Sequence, residues 1–259
     1  MKVLTILRHP QEVIGKRWRE DQPPEQTRVL SLARDALCFI AATGQYYPFE
    51  DFQKGLHSAP RVQTRDDDFP ELKERLSRTE AFFTQLLDEP DSAGEEKLIQ
   101  VILDTLRFIS ATGQYEAFSQ YLEHLEAEGP PHVVAAFTTM QEAQAWLDHH
   151  PAPPRFASIL IGNDYHAVMY DRETNFRQLP RARSISYYLV DLEEKGPPVP
   201  TASFANHEEA EAWLKAQPMP ARRAWVKIGS ELYLAAYHPN VNHRALYPLS
   251  LADGYRDGE

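Results

Sequence analysis

The residues best placed to do chemistry are the two histidines of His238-Pro239-Asn240-Val241-Asn242-His243, five apart on a turn-forming segment. Two imidazoles at that spacing could share a metal ion, or one could serve as a base. Two ligands do not close a zinc site, however, and the sequence places no carboxylate or cysteine beside them. The plainer expectation is a pair of exposed loop histidines. His149-His150 falls at the predicted end of a helix, where histidine suits the dipole and the last carbonyls without any ligand. The single cysteine, Cys38, excludes an internal disulfide and any multi-cysteine metal site; among Leu37, Phe39 and Ile40 it reads as a buried, inert thiol. The carboxylate pairs Glu95-Glu96 and Glu208-Glu209 stand at helix starts, where they complement the dipole.

A third histidine, His9, lies in Thr5-Ile6-Leu7-Arg8-His9-Pro10-Gln11-Glu12. Over these eight residues the chain resembles the strand-end Arg-His-Gly motif of histidine phosphatases. The resemblance implies that His9 would accept a phosphoryl group and Arg8 would bind its oxygens. Pro10 stands where that family has its glycine, and no second histidine motif follows. The chain has no glycine-rich phosphate loop and no Gly-x-Ser-x-Gly elbow. Nothing in it implies a cofactor, and catalytic and cofactor-binding residues are not assigned.

The elements that would position these residues come in repeats. Asp35–Phe49 (DALCFIAATGQYYPF) and Asp104–Phe118 (DTLRFISATGQYEAF) agree at ten of fifteen positions at an offset of 69, where about one match is expected by chance. Phe137–Leu147 (FTTMQEAQAWL) pairs with Phe204–Leu214 (FANHEEAEAWL) at an offset of 67, and the match runs on through Tyr170/Tyr237, Asn175/Asn242 and Arg177/Arg244. Two tandem duplications are the natural reading.

The expected fold is therefore α+β: a duplicated all-α helical array, then a duplicated β-α-β-β unit forming an antiparallel sheet with helices on one face. The domains would be 1–129 (helical units about 10–58 and 69–129) and 130–259 (units about 130–195 and 197–259). In the first, Val29, Leu32, Ala33, Ala36, Leu37 and Ile40 recur at helical spacing, and Gly44, like Gly113, stops the helix. Shorter helices follow from Tyr46 and Tyr115, and another spans Phe69 to Leu87 with Asp66-Asp67-Asp68 as its expected cap. In the second, strand Val133–Phe137 leads to helix Gln141–His149, and Gly162-Asn163-Asp164 signals a hairpin. Trp225–Ile228, a turn at Gly229 and Leu232–Tyr237 repeat the pattern. Residues kept in both copies, such as Trp146 and Trp213, are expected to pack the shared fold; specific function should lie where the copies differ, and the His238–His243 segment is the clearest difference.

Composition narrows the function classes. The net charge of −11 disfavours nucleic acid and anionic membrane as partners and suits a basic protein. Residues 1–129 carry 15 basic and 23 acidic side chains, a net of −8, so the helical half is the acidic one. The apolar run at the N-terminus is too short for a secretory signal, no segment is long enough to span a membrane, and the cytoplasm is the default expectation. The expected function is a non-catalytic protein-binding module, most concretely a bacterial immunity-type protein that neutralises a basic toxin. Its rivals are a structural or regulatory scaffold, and a hydrolase or phosphatase using His9 or the His238/His243 loop.

Overall fold

The computed structural model describes residues 3–56, 68–89 and 94–253. The fold is mixed α+β, and the chain divides into two compact units, Met1–Glu123 and His124–Glu259. Among the described residues no helix is long and apolar enough to cross a membrane.

The first unit holds α1 (Val3–Arg17), α2 (Pro24–Ala42), α3 (Tyr46–Gln53), α4 (Pro70–Leu87), α5 (Glu96–Ala111) and α6 (Tyr115–Glu126), the last continuing into the second unit. Leu30, Ala33, Leu37 and Ile40 form one buried stripe on α2, because residues three and four apart share a helix face. Ile99, Ile102, Leu103 and Leu106 do the same on α5, and α2 packs on α1, α4 and α5. The two sequence repeats end their long helices with the same bonds. Thr43 and Thr112 donate their hydroxyls to Phe39 O and Phe108 O, both at 2.6 Å. Gln45 and Gln114 then donate to those threonine hydroxyls at 2.8 and 2.7 Å. Gly44 and Gly113 sit at φ 69° and 70°, a region that costs glycine no Cβ clash. The aromatic packing is reciprocal: Phe39 meets Phe118 at 5.2 Å, and its equivalent Phe108 meets Phe49 at 5.7 Å.

Two local expectations need correction. The N-terminal segment is helix α1, anchored by Lys16 and Arg17 on Glu95 at 2.8 and 2.7 Å. The cap of α4 is not aspartate: Asp66 and Asp67 lie outside the described residues, and the N-cap is Phe69, left-handed at φ 61° with no side-chain bond. Pro70 follows at the first helical position, where its missing N–H leaves nothing to satisfy.

The second unit runs β1 (Ala135–Phe137), α7 (Met140–His149), β2 (Ser158–Ile161), β3 (Asp164–Ala167), β4 (Met169–Asp171), β5 (Phe176–Gln178), α8 (Ser184–Glu194), β6 (Ala202–Phe204), α9 (His207–Ala216), β7 (Arg223–Ile228), β8 (Glu231–His238) and β9 (His243–Pro248). Antiparallel pairing dominates, but the first pair of each repeat is parallel, Ala135 opposite Ile159 and Ala202 opposite Val226. The helix between the two strands carries the chain back to its starting end, so the second strand must run the same way. The second repeat keeps one four-stranded sheet, β6-β7-β8-β9. In the first, the strand equivalent to β8 is divided into β3 and β4.

Positions retained in both repeats pack alike. Phe137 meets Trp146 and Phe204 meets Trp213, both at 5.3 Å. Arg177 donates to the carbonyls of Leu147, Asp148 and His150 at the end of α7, and Arg244 to those of Gln217 and Pro218 beyond α9. One face of the second sheet covers α9 through Val226, Ala235 and Leu246. Its other face, Leu234, Ala236, Ala245 and Tyr247, shares a core with Leu160 and Tyr165 of the first repeat and with Ile185, Leu189 and Leu192 of α8. Helix α8 thus helps to cover that second face.

Candidate functional site

Four histidines of the second unit, His124, His132, His238 and His243, converge where the two repeats share their core. His238 ends β8, two and four residues beyond Ala236 and Leu234, so strand alternation turns its ring to the same buried face. It is 0% exposed, which corrects the expectation of a solvated loop histidine. Its Nε2 lies 3.2 Å from the Tyr165 hydroxyl of the first repeat. That hydroxyl also donates to Pro131 O at 3.4 Å. The Nδ1 of His238 is buried and without a partner.

His243 opens β9 directly across from His238, with the rings 6.3 Å apart. It is half-buried, and its Nε2 lies 3.1 Å from Asn163 Oδ1 at the hairpin turn. Two further histidines that the sequence reading had not singled out join them. His124, 6% exposed at the end of α6, places Nε2 2.7 Å from Pro130 O, and its ring lies 5.6 Å from that of His132. Gly129 sits against this ring: a Cβ there would come within 2.4 Å of His124 Cε1.

Burial disfavours the charged form of all four imidazoles. It pushes His238 down to about 3, helped by the charges that His243, His124, His132 and Arg222 would place nearby. His132 is pushed down to about 4 by burial and then by His124. His124 and His243 are also lowered, burial being the first cause in each.

The first repeat shows what is missing. Position 171, equivalent to 238, is an aspartate, and its carboxylate lies 3.9 Å from Arg155. Arg222, equivalent to Arg155, has a buried guanidinium nitrogen with no partner, and its charge disfavours a proton on His238. The second repeat therefore exchanges an Arg–Asp pair for an Arg–His neighbourhood. As for metal binding by His238 and His243, among the described residues no group of three or more His, Cys, Asp or Glu side chains is placed to hold an ion.

The remaining candidates lie apart. Thr5–Glu12 is inside helix α1 rather than at a strand end, and His9 and Arg8 are exposed on it. The setting that the phosphatase resemblance implies is therefore not present. Cys38 is half-buried rather than buried; Gln11 Nε2 reaches its sulfur at 3.7 Å, and desolvation, then Asp35, raise the thiol above its ordinary value. His149 places Nδ1 2.7 Å from Ala145 O and His150 caps α7, both local to the helix end. Glu95 is the N-cap of α5, and Glu209 accepts from Ala205 N at 3.0 Å ahead of α9.

Two concave surfaces accompany these groups, one in each unit. In the first, a groove of about 540 Å³ between α2 and α4 is lined by Glu25, Glu71, Glu74, Arg28, Arg75 and Arg78 over Val29, Leu32 and Thr79. In the second, a cleft of about 560 Å³ is bounded by Asn163, Tyr165, Arg181, Arg183, Ser186 and Tyr247, with an Arg181–Asp164 ion pair of 2.6 Å beside it. Tyr165 belongs to both the cleft and the histidine cluster. Neither His9, His238 nor His243 lines either surface. Compared with known proteins, the chain matches no family, no curated protein and no solved structure.

Proposed function

We propose that this chain is a non-catalytic protein-binding module whose partner is basic, and that a bacterial immunity-type protein neutralising a toxin is the most concrete form of that role. The observation that carries the proposal is the placement of charge. Eight of the eleven net negative charges belong to residues 1–129, and Glu20, Asp21, Asp88, Glu89 and Glu123 hold theirs on exposed positions of the helical unit. A field of one sign on a solvated face draws an oppositely charged protein in and rejects like-charged competitors.

The test is capture from a native lysate at low salt by the purified chain, with bound proteins identified by mass spectrometry. One basic protein held in near-equal amount supports the reading, and growth arrest by that protein alone, relieved by this chain, supports the immunity form. Several weakly held partners that are indifferent to salt would favour a scaffold. An empty capture would overturn both.

A further inference from the structure

We infer that the second unit contains an acid-triggered switch, in which charging of the buried histidines around His238 parts the β8–β9 end of the sheet from Tyr165 of the first repeat. The inference rests on how the cluster is built. His238 joins two things at once: it pairs with His243 across β8–β9 and bonds Tyr165 across the shared core. In acid both ring nitrogens of His238 carry a proton. The N–H at Nδ1 has no acceptor, and the new charge lies in a core with Val133, Leu234 and Ala236. An unpaired charge in such surroundings strongly favours any opening that lets water in.

Every element around the site adds to that push or leaves it uncompensated. The end of α6 brings His124, the chain before β1 brings His132, β9 brings His243 and Tyr247, and the chain before β7 brings Arg222. From β3 comes Tyr165, whose proton is already donated to Pro131 O. Tyr188 of α8 donates its hydroxyl to Glu128 O at 2.6 Å. The nearest carboxylates are engaged elsewhere: Glu128 with Lys195 and Arg223, and Asp164 with Arg181. In the first repeat the equivalent position carries Asp171 beside Arg155, an arrangement that does not acquire positive charge in mild acid. The replacement of that carboxylate by His238, and of Phe176 by His243, puts groups that gain positive charge in acid at positions where the first repeat has none.

Amide hydrogen exchange of the full chain, read by mass spectrometry at about pH 7 and about pH 5 and corrected for intrinsic rates, tests this directly. Protection of β8 and β9 should fall at least tenfold at the lower pH while α2 and α5 keep theirs. In His132→Gln and His243→Gln, each of which removes one charge from the cluster at a less buried position than His238, the loss of protection should move to lower pH. His238→Gln should move it further, and the other two variants decide the matter if that one fails to fold. Unchanged protection of β8 and β9, loss of α2 and α5 protection in step with them, or variants that open at the same pH as the parent would each overturn the switch.

Discussion

Acidification should weaken the second unit by an amount that follows from two histidines. His238 and His132 sit at about 3 and about 4 in the folded chain, against about 6.5 for an unfolded histidine. Between those values the unfolded chain binds more protons, so stability rises with pH. The contribution is fully present above about pH 6.5 and is lost as the pH falls through that value toward the folded ones. Integrated from about pH 7 to about pH 5, each histidine costs about 2 kcal/mol, and the two together cost about 4 kcal/mol. That is a large share of the roughly 5–15 kcal/mol that ordinarily separates folded from unfolded chains. Urea unfolding followed through a probe in the second unit, at several pH values across this window, measures the loss. His132→Gln should remove about half of it. A stability that is flat from about pH 7 to about pH 5, or a slope that His132→Gln leaves untouched, would refute the reasoning.

Two further substitutions probe the packing on which this unit rests. Arg177→Ala strips three carbonyls near the end of α7 of their charged donor and removes the guanidinium that lies 5.4 Å from the Tyr170 ring. It should cost about 2–3 kcal/mol in urea unfolding, with Arg244→Ala, which bonds two carbonyls, costing less. Gly129→Ala drives a methyl into the His124 ring and should cost about 1–3 kcal/mol; a loss below about 0.5 kcal/mol would show that the ring yields freely.

Much of this architecture was legible because the chain states it twice. The repeated Thr-Gly-Gln-Tyr was expected to be a helix stop, and both copies stop a helix with the same Thr-to-carbonyl and Gln-to-Thr bonds. Gly162 and Gly229, at φ 59° each, form the hairpin turns expected from their neighbours. What stayed hidden depends on contacts outside the local pattern. Helix α8 carries Ile185, Tyr187, Tyr188 and Val190, β-branched and aromatic residues with weak helical preference, and it forms around the burial of Ile185, Leu189 and Leu192. Helix α1 contains Pro10 and is held to Glu95 from far along the chain. The histidine cluster draws on positions 124, 132, 238 and 243, a span that no motif would reveal. One signal was present in the sequence: the alternation of Leu234, Ala236 and His238 places that histidine on the inner face of its strand.

Recruitment by charge is best measured as the association rate between this chain and the basic protein it captures, followed across a salt series. An acidic surface that recruits its partner predicts a rate that falls at least tenfold from low to physiological salt, where the screening length is about 8 Å. The fall should be smaller when Glu20, Asp21, Asp88 and Glu89 are neutralised. A rate that ignores both salt and those substitutions, or a captured partner that is itself acidic, would contradict the claim.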